Sequence, residues 1–313
     1  MSVPASSDLR PRTAFPDGVS QLAGRYDSFL LDQWGVLHDG AAAHEGAVAC
    51  LEALRAAGKG VVILSNSGRN GSENEAILAS MGFHRDLYDS VVSAGDDARD
   101  ALLRRDEPAY RDLGTRCLPI TRLGEQHLAA GLGLTLVEKP EQADFLFVLS
   151  IDAERQSVAG WRPVLERALS RGLPMICGNP DRHRVHPGGR LLEAPGAIAL
   201  AYERMGGVVH YHGKPEPRIY RTCLQRLGRP PGRLLAIGDS LEHDVQGAAR
   251  AGVDCLFIGG GIHRDELTWS EGDPVFQRSC EALFARNAAS PTFCLQTFAW
   301  EASSQTASSA AGR

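Results

Sequence analysis

Positive charge is in short supply in this chain of 313 residues. Its 33 lysines and arginines face 38 aspartates and glutamates, a formal net charge of −5. Proteins that bind nucleic acid or membrane surfaces normally carry a basic patch. None stands out here, and neither partner is expected: "RRDEPAYRD", residues 104–112, mixes both signs and reads as a solvated face. Cysteine is not patterned. The seven, at 50, 117, 177, 223, 255, 280 and 294, are odd in number, lack CxxC spacing and sit mostly beside apolar residues. Reduced, buried thiols in a cytoplasmic protein are therefore expected, rather than a disulfide framework. No apolar run is long enough to span a bilayer. "MSVPASSDLRPRTAFPDG" lacks the apolar core region of a signal peptide. There is no internal repeat, and the small, polar tail "EASSQTASSAAGR" is expected to fray.

What is present is a regular alternation of strand and helix. "SFLLD" and "VVILSNSG" are apolar runs ending in polar residues, as strands buried on both faces should read. "EGAVACLEALRAAGKG" places Val48, Leu51 and Leu54 at helical spacing and ends at glycine. "SENEAILASMGF" predicts a helix capped by Ser72, with Glu75 three residues on. "SVVSAGDDARDALLRR" repeats strand, turn and helix. This pattern predicts a Rossmann-like parallel sheet with helices on both faces. Residues from about 106 to 190 mix short strands with glycine-rich turns, and predict a smaller α/β domain inserted into the first. The core would then comprise residues 1–105 and 191–313. In the second part, "PGAIALAYERMGG" reads as a helix and "VVHYHGKPEP" as a strand and turn. "RIYRTCLQRLG" is another helix, while "GRLLAIGDS" and "VDCLFIGGG" are buried strands.

Polar residues cluster at the ends of these predicted strands: Asp32, Ser65, Lys214, Asp239 and Asp244. Carboxyl ends of parallel strands converge on one crevice. Two or three carboxylates there repel one another unless a hard cation sits among them, and all-oxygen donors suit Mg²⁺. A lysine, a hydroxyl and the amides of a Ser-Asn-Ser-Gly turn would hold an anion beside it, which is the general arrangement for phosphoryl transfer. An aspartate can itself attack phosphorus.

The order of these residues resembles the four motifs of the haloacid dehalogenase-like (HAD) hydrolases. Those motifs are here Asp32-Gln33-Trp34-Gly35-Val36-Leu37, Ser65-Asn66, the lysine of "GKP" at Lys214, and "GDSLEHD" with Asp239 and Asp244. The resemblance covers roughly Tyr26 to Gly261. It is strongest to the subfamily with a large α/β cap, which includes the nucleotide and p-nitrophenyl phosphatases. It implies that Asp32 is the nucleophile, that Lys214 neutralises nucleophile and phosphate, and that Ser65 and Asn66 bind phosphoryl oxygens. It further implies a Mg²⁺ site built from Asp32, the main-chain carbonyl of Trp34, Asp239 and Asp244. The cap loop "NPDRHR" would face this site, making Asp181, Arg182 and His183 candidates for substrate binding. His183 and His186 near Asp181 lack a third strong ligand for zinc. The implied partner is a small phosphorylated metabolite of nucleotide or sugar phosphate type. A homodimer stays open, since capped relatives often pair through the cap.

One expected group is missing. Most HAD phosphatases carry a second aspartate two residues after the nucleophile, a general acid–base often worth ~10²–10⁴-fold in rate; here the position is Trp34. Three readings follow. His38, Asp39 or a cap residue substitutes; the substrate has a good leaving group; or the protein binds phosphate esters and turns over slowly or not at all. Haloacid dehalogenases also place an aromatic residue there and need no metal, but they lack the "GD" pattern retained at Gly238-Asp239.

Overall fold

The computed structural model describes residues 13–185, 190–228, 230–269 and 273–301. The chain opens with α1 (Ser20–Ala23), β1 (Ser28–Leu31), α2 (Ala47–Ala56), β2 (Gly60–Ser65), α3 (Gly71–Ser80), β3 (Ser90–Ser93) and α4 (Ala94–Arg104). It continues through α5 (Pro108–Arg111), β4 (Arg116–Ile120), β5 (Thr135–Leu136), β6 (Phe145–Val148), α6 (Arg162–Ser170) and β7 (Met175–Cys177). A hairpin, β8 (His183–Val185) and β9 (Leu191–Glu193), precedes α7 (Pro195–Arg204) and β10 (Val209–Tyr211). Last come α8 (Pro217–Arg226), β11 (Leu234–Gly238), α9 (Gln246–Ala251), β12 (Asp254–Ile258), α10 (Asp273–Arg286) and β13 (Phe293–Leu295).

Two parallel sheets result. The larger has the order β13-β12-β11-β1-β2-β3, and the smaller β10-β7-β6-β4-β5. Every residue of β1 and β2 is buried, because helices cover both faces of the larger sheet. Phe29, Leu31, Val61 and Ile63 pack against Leu51 and Leu54 of α2 on one side. Leu30, Val62 and Leu64 meet Ile219 and Cys223 of α8 and Leu283 of α10 on the other. Each such side chain, removed from water, stabilises the fold by roughly 1.5–3 kcal/mol before the entropy of ordering is counted. The predicted Rossmann-like core with its added α/β unit is the observed architecture. All seven cysteines are buried and free, and no described helix is long and apolar enough to cross a membrane.

Three local expectations need correcting. The inserted unit does not return to the core at 191: α7 packs on β7, and β10 pairs with β7 in the smaller sheet. The half-buried strand Val209–Tyr211 completes the edge of that sheet, so the return falls at the turn after Tyr211. The cap of α3 is Asn70, not Ser72: its side chain accepts from the Glu73 amide at 2.9 Å, and Glu73 reaches back to the Asn70 amide. The larger sheet also has an edge strand, β13, that follows "VDCLFIGGG" and was not among the strands expected. The C-terminal tail expected to fray, and His186, lie outside the described residues.

Candidate active site

Parallel pairing sets the site. Asp32 directly follows β1, and its amide donates to the Ile237 carbonyl of β11 at 2.8 Å, carrying the ladder one residue further. Asp239 directly follows β11, so adjacent strands deliver two carboxylates side by side. Asp244 comes from a single π-helical turn, Leu241–Val245, a rare geometry often found at functional sites. The Asp244 carboxylate turns back to accept from the Ser240 amide at 3.0 Å. Helix α9 continues directly from that turn with no side-chain cap. Asp239 is held by the amide of Ile262, which donates to Oδ2 at 2.7 Å from the glycine loop after β12. Three consecutive glycines behind a buried strand were the sequence signal for that loop's approach. Glycine is also required at position 35: φ is +76°, and a Cβ there would lie 1.9 Å from Asp239 Oδ2.

Lys214 ties the carboxylates together. Its ammonium donates to Asp32 Oδ1 at 2.5 Å and to Asp244 Oδ1 at 2.7 Å, with all three side chains largely or fully buried. Burial alone would lower the lysine, but the Asp244 and Asp32 carboxylates reverse this and hold it well above its ordinary value. Burial pushes Asp32 up to about 7, against the pull of Lys214. It pushes Asp239 well above the carboxylate range, with Asp32 and Asp244 adding to the effect. Asp32, Asp239 and Asp244 each offer an oxygen within 4.8 Å of the others. One ammonium among three buried carboxylates leaves negative charge uncompensated. An all-oxygen, electron-rich cluster of this kind fits a hard divalent cation.

Ser65 ends β2 and Asn66 follows it, 2% and 3% exposed. Ser65 Oγ accepts from the Ser67 amide at 3.2 Å, which leaves its own proton free to donate. Asn66 is more engaged than expected. Its Oδ1 accepts from the Lys214 amide at 2.7 Å, and its Nδ2 donates to Asp181 Oδ1 at 2.8 Å. The second glycine that geometry demands is Gly213, with φ +92° and room for a Cβ only 2.6 Å from that same Oδ1.

Of the cap-loop candidates, Asp181 also lies 3.5 Å from His243 Nε2, and Arg182 pairs with Glu242 at 2.8 Å. His183 is exposed on β8. Trp34 lies over Gly40, with its ring edge-on to His38 at 5.3 Å. Asp39 is spent on its own turn, accepting from the amides of Ala41 and Ala42 at 2.8 and 2.9 Å, which lowers it below the usual range. His38 is fully buried and pushed down to about 4 by that burial, with His44 adding. Its Nδ1 accepts from the Gly40 amide at 2.9 Å. The neutral ring therefore carries its proton on Nε2, which has no hydrogen-bond partner.

The sequence also matches known proteins. Residues 29–135 fit the model of the haloacid dehalogenase-like hydrolases, and residues 211–281 fit an HAD-hydrolase-like model. A hydrolase of the haloacid dehalogenase-like family from Brucella suis 1330 is 31% identical, with a TM-score of 0.75 over 90% of this chain and 99% of its own. The chain belongs to the haloacid dehalogenase-like hydrolases. Human chronophin is 29% identical over 79% of this chain and 86% of its own. The ribonucleotide monophosphatase NagD of Escherichia coli (strain K12) is 26% identical over 74% and 87%. In this HAD-like hydrolase the smaller sheet takes the place of the subfamily's cap, and Asp181 on its loop meets the larger sheet at Asn66.

The sequence reading missed a set of polar residues behind the site. His212 and Asp97 are both buried, with His212 Nδ1 2.7 Å from Asp97 Oδ2. Tyr110 Oη lies 2.6 Å from His212 Nε2, and Arg218 Nε donates to Asp97 Oδ1 at 2.9 Å. Only the pair of histidines in "VVHYHG" hinted at it, and these read as an ordinary strand end.

Proposed function

We propose that this hydrolase is a divalent-metal-dependent phosphatase acting on a small organic phosphate monoester of nucleotide or sugar phosphate type. The observation that carries the reading is Lys214 bridging Asp32 and Asp244 within 2.7 Å, beside a third carboxylate, Asp239. On this reading Asp32 attacks phosphorus, forming an aspartyl phosphate as the ester oxygen departs; water then cleaves it. Lys214 holds the attacking carboxylate in position and offsets charge on the phosphoryl oxygens. Ser65 Oγ–H is free to donate to one of those oxygens. Asp32, Asp239, Asp244 and the Trp34 carbonyl would hold Mg²⁺, which when bound would neutralise the carboxylates and polarise the phosphoryl group. We take the cap to run from about residue 106 to the His212 turn, closing over the site and leaving room for a small substrate.

The test uses p-nitrophenyl phosphate, whose leaving group needs little acid catalysis. Turnover should require Mg²⁺, stop with EDTA and fall at least ~10³-fold in Asp32→Asn, the scale of loss when a nucleophile is removed. Metal-independent halide release from a haloacid would overturn the reading.

A second reading rests on Trp34. It cannot donate a proton to the leaving oxygen, and Asp39 is committed to its turn. On that reading the protein is a slow or silent binder of phosphometabolites. Tight retention of a phosphate ester without turnover of p-nitrophenyl phosphate would establish it in place of the first.

A further inference from the structure

The chain crosses between the two sheets twice, once through α5 and once through the turn after β10. The missed polar residues sit where these crossings meet. Tyr110 belongs to the first and His212 to the second, Arg218 lies on α8 of the larger unit, and Asp97 lies on α4, which touches β3 and α8 while its Ala98, Ala101 and Leu102 pack with the smaller sheet. Tyr110, His212 and Asp97 are all 3% exposed or less. Asp97 accepts on both oxygens, from His212 Nδ1 and from Arg218 Nε. A carboxylate can only accept, so His212 donates from Nδ1, and in the neutral ring Nε2 accepts from the Tyr110 hydroxyl. Arg218 also pairs with Glu107 at the start of the first crossing. His210 lies against the Tyr110 ring at 5.9 Å. His212 in turn donates its amide to Cys177 of β7 at 2.9 Å, and only Gly213 separates it from Lys214.

We propose that Tyr110, His212 and Asp97, backed by Arg218, form a clasp at the cap hinge that positions Lys214 against Asp32 and sets how the cap closes. These are positioning residues, since none touches the reacting atoms. The proposal rests on the phosphatase reading for its kinetic arm only.

Tyr110→Phe removes one hydroxyl and keeps the ring. With p-nitrophenyl phosphate as substrate it should lower kcat about tenfold while KM changes less than about twofold, because misplacing an aligned group acts chiefly on the transition state. His212→Ala should lose more, and His212→Asn, which can still donate to Asp97, should recover part of the loss. Hydrogen exchange should quicken in both crossings of Tyr110→Phe and stay unchanged in β1 and β11. Equal kcat in wild type and Tyr110→Phe, or a His212→Ala loss that follows the folded fraction with no recovery in His212→Asn, would overturn the clasp. If the wild type proves inactive, the phosphatase reading fails and exchange alone decides. Unchanged exchange in both crossings of Tyr110→Phe would then overturn it.

Discussion

The contacts that tie the two units of this molecule together differ in kind. At the hinge, His212 and Asp97 are each 2% exposed and locked at 2.7 Å. Across the mouth, Arg182 and Glu242 pair at a similar 2.8 Å, but both are 43% exposed. Arg69, just past β2, reaches Glu125 of the cap at 2.5 Å with intermediate exposure. Similar distances therefore hide unlike strengths. Water screens exposed pairs, whereas a buried pair that loses one member leaves an uncompensated polar group. The contrast predicts a stiff pivot at the crossings and a looser rim at the mouth.

The strongest way to break this contrast is Asp97→Ala. It strands His212 and Arg218 together and should cost about 3–5 kcal/mol of stability, read from the urea midpoint. A cost under about 1 kcal/mol would place the hinge on the same footing as the mouth. Acid titration sharpens the point. Burial tends to raise Asp97, yet the bonds from His212 and the charge of Arg218 hold it below the ordinary value. Its contribution is thus fully present above about pH 4 and is lost as pH falls through the lower folded value. Below pH 4 the wild type should lose stability more steeply than Asp97→Asn; parallel curves would contradict this. Arg69→Ala should cost about 1 kcal/mol or less, and Arg182→Ala still less, with no resolvable shift in midpoint. A drop of several kcal/mol from either would mean that the rim is as rigid as the hinge.

Much of the core was legible in the sequence, for a physical reason. Strands covered on both faces read as unbroken apolar runs, and the residues just beyond them, Asp32, Ser65 and Asp239, fall at one end of a parallel sheet by topology alone. The cap boundary was not legible. Helix α7 and strand β10 have the same patterning whichever sheet they join, so "PGAIALAYERMGG" and "VVHYHG" carry no mark of belonging to the smaller one. The clasp was hidden more deeply, because Asp97 and His212 are 115 positions apart and neither lies in a motif that announces a partner. The resemblance implied Asn66 as a binder of phosphoryl oxygens. That its carboxamide also braces the Lys214 backbone is a use that only the fold brings about.

That carboxamide has two ends with different duties. Oδ1 holds the Lys214 amide from within the larger unit, while Nδ2 holds Asp181, which travels with the cap. Of these two bonds, only the one to Asp181 would have to part if the cap lifted. The seat of the lysine is therefore built within the larger unit, like an anvil fixed to its own bench whatever stands above it.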